Sequence, residues 1–286
     1  MNRFLSLLII SFTLLAFMAC NKTKETIPAY IHIDKIALKI TNSPVQGSGS
    51  EKISDAWVYI DEKFVGCYEL PMTFPVLFEG THQIKIKAGI KVNGIAASRA
   101  PYSFYSEYSA QVDLKPGEIL NIDPVVNYTS FARFTFMEDF EGSGIKLAPG
   151  PAGTSDTMKQ TFDKNLVFEG KGSGITRLDS KKTNFQCVSN TSYILPGAGA
   201  PVYLEFDYKC NHTFTVGIYA HSNSGTTTIP ALGVNPSDTW NKMYAFITPQ
   251  LGGISGVTDY NIYFAMFNSE GADGVELLID NVKLVY

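Results

Sequence analysis

Beyond its first twenty residues this 286-residue chain has no apolar run with a helical period, which excludes helical bundles and leaves strands as the building element. Cysteine is scarce: four residues without a C-x-x-C spacing indicate neither a disulfide framework nor a zinc site. The four histidines (His32, His82, His212 and His221) are scattered, with no H-E-x-x-H or H-x-H pair. No G-x-S-x-G elbow or P-loop occurs, and the glycine-rich runs join strands instead of opening helices. Charged residues are 17% of the chain with a formal net of -4, so no basic stripe neutralises phosphates and nucleic acid is excluded as a partner. The 45% hydrophobic content suffices for a packed core. Glu205 and Asp207 share one strand face, as paired acids for glycoside hydrolysis would. Lys209 follows on that face, so the three read as a solvated charge stripe. The chain is expected to be no enzyme and to carry no catalytic cofactor.

What is present begins at the N-terminus. Arg3 supplies a positive charge, and Phe4 to Ala19 form an apolar segment closed by a small residue before Cys20. The segment falls short of the roughly 20 residues that span a bilayer, and the polar Asn21-Lys22-Thr23-Lys24-Glu25 follows, so it reads as an export signal. Leu14-Leu15-Ala16-Phe17-Met18-Ala19-Cys20 resembles the lipobox of bacterial lipoproteins. The resemblance implies cleavage after residue 19 and acylation of Cys20, with residues 20–29 as a tether. The alternative is an ordinary secretory signal with Cys20 incidental. One acyl chain holds weakly, but several on one cysteine hold firmly. The expected location is the outer membrane, its periplasmic or cell-surface face left open. The charged residues after Cys20 resemble the surface-export signals of Bacteroidota lipoproteins.

Residues 30–130 read as short strands with polar turns. Ile31, Ile33, Ile36, Leu38 and Ile40 alternate with a slip near Asp34, and Gln83-Ile84-Lys85-Ile86-Lys87-Ala88 alternates cleanly. Asp55-Ala-Trp-Val-Tyr-Ile-Asp-Glu-Lys-Phe-Val-Gly66, Pro71 and Glu79-Gly-Thr-His-Gln-Ile-Lys-Ile-Lys87 resemble PEGA-type immunoglobulin-like domains. That implies a small antiparallel sandwich acting as spacer or interaction module. Glu62 stands where those domains usually carry glycine.

Residues 131–286 carry longer strands. Val202, Leu204, Phe206 and Tyr208 face a core while Tyr203, Glu205, Asp207 and Lys209 face away. Thr213 to His221, Trp240 to Thr248, Tyr260 to Asn268 and Val275 to Val285 are further strands, with Trp240 placed in the core. Asp139-Phe-Glu-Gly142, Glu169-Gly-Lys-Gly-Ser-Gly-Ile-Thr-Arg177, Leu204-Glu-Phe-Asp-Tyr208, Thr239-Trp-Asn-Lys-Met-Tyr244 and Leu278-Ile-Asp-Asn-Val-Lys-Leu284 resemble the jelly rolls of carbohydrate-binding modules and galactose-binding-like domains. The fold class is thus all-β: an immunoglobulin-like β-sandwich followed by a jelly-roll β-sandwich. The resemblance implies a structural calcium tying first strand to last through Asp139, Glu141 and Asp280. It also implies glycan stacking on exposed aromatics. By strand parity the outward candidates are Tyr203, Tyr219, His221, Tyr263 and Phe267.

Asp156-Thr157-Met158 resembles the O-glycosylation motif of Bacteroidota, with Thr157 as acceptor. Cys187 and Cys210 are expected as buried thiols, a bridge after export being the alternative. The expected whole is a lipid-anchored, non-catalytic binding module for glycans, with the proximal sandwich providing reach and the distal one capturing ligand. The competing expectation is a structural or assembly lipoprotein whose partners are envelope proteins.

Overall fold

The computed structural model describes residues 26–150, 154–197 and 199–286. The signal segment and Cys20 lie outside these residues. Among the described residues, no helix is long and apolar enough to cross a membrane.

The first sandwich comprises β1 (Ala29–Ile33), β2 (Ala37–Leu38), β3 (Asp55–Ile60), β4 (Lys63–Glu69), β5 (Met72–Val76), β6 (Gly80–Lys91), β7 (Arg99–Pro101), β8 (Tyr108–Leu114), β9 (Ile119–Asn121) and β10 (Val125–Val126). One sheet runs β4-β3-β6, with β7 and β8 end to end along the far edge of β6. The other runs β5-β1-β9, with a short β2–β10 pair beside it. First and last strands pair in parallel, β1 with β9 and β2 with β10. The slip near Asp34 is where the chain leaves β1 for β2. Alternation sets the core: Ile84 and Ile86 are fully buried between the sheets with Ile31, Ile33, Val58 and Ile60.

The hairpin joining β3 to β4 turns on Asp61 and Glu62, both with positive φ (48° and 64°). Such a turn favours glycine or asparagine, so Glu62 needs support from elsewhere. Asp61 supplies it, accepting from the Gln83 amide at 3.0 Å and lying 2.6 Å from His82 Nδ1. His82 Nε2 faces the Glu79 carbonyl at 3.1 Å. Both partners only accept, so both ring nitrogens donate and the bonded ring is the imidazolium. The bond to Asp61 raises the His82 pKa above its ordinary 6.5, and the same bond lowers Asp61 below 3.8. For a raised histidine the stabilisation is complete below about pH 6.5 and is lost as pH rises through the folded value. For the depressed carboxylate it is lost as pH falls below about 4. Chemical denaturation should therefore show a loss of stability from pH 6.5 upward that His82→Gln abolishes. An unchanged slope in that variant would remove the imidazolium from the account.

The second sandwich comprises β11 (Phe134–Glu138), β12 (Leu147–Pro149), β13 (Lys159–Thr161), β14 (Ser173–Leu178), β15 (Asn184–Ser189), β16 (Tyr203–Cys210), β17 (Phe214–Ser222), β18 (Gly225–Val234), β19 (Ser237–Phe246), β20 (Val257–Phe267) and β21 (Val275–Val285). One sheet runs β13-β14-β21-β16-β19, with β11 alongside β21; the other runs β12-β15-β20-β17-β18. Between them Leu204, Phe206, Val216, Ile218, Ile262, Phe264, Ile279 and Leu284 form the main core. Cys187 and Cys210 are buried free thiols. The polar β18 carries no clean alternation and is legible only from its pairing with β17.

The two sandwiches pack against each other, which corrects the expectation of a proximal spacer providing reach. The outward face of β16, β19 and β21 is covered by the first sandwich. Tyr203, Tyr244 and Val285 belong to the same apolar cluster as Tyr102, Phe104, Tyr105 and Tyr128. Glu205 is fully buried there, and its carboxylate accepts from Tyr102 Oη at 2.5 Å and Tyr128 Oη at 2.9 Å. Lys283, its cross-strand partner, donates to the Ser48 carbonyl at 2.6 Å. Ser50 Oγ donates to Asp207 at 2.7 Å. Glu205 and Asp207 are thus interface anchors and no solvated stripe; only Lys209, at the strand end, is partly open.

Candidate functional site

The five aromatic and histidine candidates do not share one open face. Tyr203, 7% exposed, lies on the covered sheet, against Tyr102 and Phe246. Parity within a strand orients a side chain only relative to its own sheet, and Tyr203 belongs to the other one. Tyr219, His221, Tyr263 and Phe267 do point outward from the β17–β20 sheet, yet they form no platform. Tyr219 and Tyr263 are 6% and 3% exposed, packed on each other at 5.1 Å between centroids and against Val188 and Ala265. Gly217 makes this possible, because the Tyr263 ring occupies the space a side chain there would need. Burial pushes the Tyr263 phenol up to about 12. His221 is held by Thr226 Oγ1 at 2.8 Å and Asn261 Oδ1 at 2.6 Å. Phe267 is 62% exposed at the strand end.

Asp139, Glu141 and Asp280, the carboxylates expected to hold calcium, each accept hydrogen bonds from the protein itself. Glu141 Oε1 accepts from the amides of Lys171 and Gly172 at 2.7 and 3.1 Å, so it closes the glycine turn before β14. Asp139 accepts from the Glu141 amide at 3.2 Å. Asp280 is buried, accepting from Ser173 Oγ at 2.6 Å and from the Asn281 amide at 2.7 Å. Burial raises its pKa to about 7. A β-bulge lies between the Glu205 and Asp207 pairings, with Asn281 at φ 49°, and the Asn281 side-chain amide donates to Asp207 and Glu169 at 3.1 and 2.8 Å. The Asp-Asn pair of the last strand therefore organises a hydrogen-bonded corner. Among the described residues no group of three or more potential ligands is placed to hold a metal. Thr157 is half-buried between the buried Met158 and Asp156, whose carboxylate meets Lys159 at 2.9 Å.

An open concavity lies instead at the seam between the sandwiches, along β19. Trp240 is half-buried there, not in the core, and packs on Phe168 at 5.1 Å between centroids. This corrects its placement, and parity gives the reason. Met243, Ala245 and Ile247 face the jelly-roll core, so Trp240, Lys242 and Tyr244 face the other way. The aromatic pair borders a shallow arm of about 270 Å³ with Ser50, Glu51, Lys52, Asp207, Asn241 and Lys242. A more enclosed arm of about 140 Å³ shares Lys52, Asn241 and Lys242 and continues to Lys91, Asn93 and Tyr208. The segment of residues 50–54 contributes to the lining of both. The Lys52 amide donates to Tyr244 Oη at 3.1 Å and its ammonium to Asn241 Oδ1. Asn93 Oδ1 accepts from the Phe246 amide at 2.7 Å and fixes the far end.

The arrangement offers what a sugar needs: a partly open aromatic pair for C–H faces, with amide, carboxylate and ammonium groups for hydroxyls. The carboxylates are occupied structurally, Asp207 by Ser50 and Asn281, Glu51 by the Ile53 amide at 2.5 Å. Phe168, Lys52 and Lys91 carry no local signal that would have grouped them, being distant in sequence.

No protein-family model matches the sequence, and no curated protein matches it. Solved structures do resemble it. The CBM22-1 xylan-binding domain of Paenibacillus barcinonensis Xyn10C is 12% identical, covering 54% of this chain and 94% of that domain, with a TM-score of 0.37. The C-terminal family 22 carbohydrate-binding module of Clostridium thermocellum Xyn10B is 16% identical, covering 53% and 91%, with a TM-score of 0.36. A CBM29-2 variant complexed with mannohexaose is 15% identical, covering 54% and 92%, with a TM-score of 0.34. Likeness at this level carries no argument about ligand or activity.

Proposed function

We propose that this protein is a lipid-anchored, non-catalytic glycan-binding protein of the outer membrane, and that it takes its ligand in the seam cleft. The observation that carries the proposal is the half-buried Trp240–Phe168 pair opening beside Asn241, Lys52 and Lys242. Paired rings tilted at 48° beside hydrogen-bonding groups suit a pyranose, which presents apolar faces and polar edges. Because the two sandwiches pack together, reach comes from the tether alone. From Cys20 to Ala29 the chain advances nine positions, about 30 Å when extended.

A glycan array read with the full mature chain tests the cleft. Trp240→Ala should weaken binding about tenfold or more, as loss of an aromatic anchor does. Phe267→Ala should leave binding unchanged, because Phe267 is remote in sequence and on the other sheet. Equal binding by wild type and Trp240→Ala would move the site elsewhere; a blank array would favour envelope-protein partners. Partition of the mature chain into detergent phase, abolished by Cys20→Ser, checks the anchor, and an unmodified soluble N-terminus would refute it.

A further inference from the structure

The enclosed arm of the cleft has an uneven charge. Lys52, Lys91 and Lys242 line it together with Asn93, Asn235, Asn241, Tyr208 and Tyr244, and neither aspartate nor glutamate is among its lining residues. In a chain of net charge -4 this is the reverse of the average surface. Lys91 is paired with Glu69 at 3.0 Å, outside the arm, and Lys52 donates to Asn241. Lys242 differs from both. Its ammonium is buried and makes no hydrogen bond among the described residues, with Asp207 at 3.5 Å and Glu205 at 3.9 Å. Both carboxylates spend their strong hydrogen bonds on Ser50, Asn281, Tyr102 and Tyr128. A buried ammonium has three donors, and two ion pairs at these distances satisfy them only in part. Burial is the main cause of the lowered Lys52 pKa, and the like charge of Lys91 adds to it.

We infer that this arm receives an anionic substituent, the carboxylate or sulfate of an acidic sugar whose ring lies on Trp240 and Phe168. The inference rests on the glycan-binding reading above and names the class of glycan. Size supports it: about 140 Å³ is well below the roughly 300–1,000 Å³ of sites that enclose whole ligands, so the arm suits one substituent or one sugar unit. The neighbouring arm mixes Glu51 and Asp207 with Lys52 and Lys242, and suits the neutral remainder.

The experiment is a titration of the full mature chain on an array in which every acidic glycan stands beside its neutral counterpart. Uronates are paired with their methyl esters and sulfated glycans with their desulfated forms. The acidic member should bind about tenfold or more tightly at low salt, the value of one charge-assisted hydrogen bond. That preference should shrink as salt rises. Which pair shows it separates carboxylate from sulfate. Lys242 sits between two buried carboxylates and its replacement risks misfolding, so Lys52→Gln and Lys91→Gln carry the test. Together they should reduce the preference to near parity, while Trp240→Ala weakens both members of a pair alike. Equal binding of acidic and neutral members, lost in Trp240→Ala, overturns the anionic inference and leaves the glycan reading standing. A preference that survives the double lysine variant overturns it as well. A blank array overturns both readings.

Discussion

Glu205→Ala should destabilise the protein by about 3–5 kcal/mol, the cost of removing one partner from a buried charged network. Its carboxylate is the common acceptor of Tyr102 and Tyr128 and lies 3.9 Å from the Lys242 ammonium. Lys283 is close as well: burial and the like charge of Lys242 depress its pKa to about 8, while Glu205 opposes that shift. Without Glu205, two buried ammonium groups face each other with less compensation and two phenol hydroxyls lose their acceptor. Tyr102→Phe and Tyr128→Phe should each cost about 1–3 kcal/mol if they leave a carboxylate oxygen unsatisfied. Neither should add fully to Glu205→Ala, because all three remove the same bonds. Chemical denaturation measures each. A cost under about 1 kcal/mol for Glu205→Ala would mean that the seam opens to water, and the packed arrangement of the sandwiches would then be wrong.

Gly217→Ala should cost about 1–3 kcal/mol, the range for overpacking a filled site. A methyl group there would stand 2.4 Å from the Ile229 carbonyl oxygen and 2.6 Å from the Tyr263 ring. The ring alone could swing away, but the carbonyl belongs to the neighbouring strand and cannot move without disturbing the β17–β18 pairing. The same variant tests the outward face of that sheet. If Tyr219 and Tyr263 are structural, glycan binding at the seam should survive the substitution while the melting temperature falls. A neutral effect on stability would show that the tyrosines are loosely held and available to a ligand after all.

The alternation of apolar and polar residues revealed most of the strands. Val202 to Tyr208 and Ile84 to Lys87 show it plainly, and both fold as alternation requires. The corner built by Asp280 and Asn281 was visible as a motif, though not in its role. Its carboxylate and amide are spent on Ser173, Asp207 and Glu169, contacts that span up to 112 residues of sequence. The seam cleft was largely hidden. Trp240 is a core residue in the sequence expectation, whereas the parity of Met243 and Ala245 assigns it to the opposite side. Phe168, Lys52 and Lys91 come from three separate segments, and nothing local links them.

By itself the sequence determined an all-β chain, the inward and outward sides of its main strands, and an exported N-terminus as an expectation. The tertiary structure alone decided what the outward sides meet. The reason is that strand periodicity reports which way a side chain leaves its own sheet, and carries no information about a second layer beyond it. So the polar face of β16 reads as solvated from Glu205 and Asp207, yet it is sealed by tyrosines about a hundred positions earlier. The cleft beside it exists only because the two sandwiches meet there.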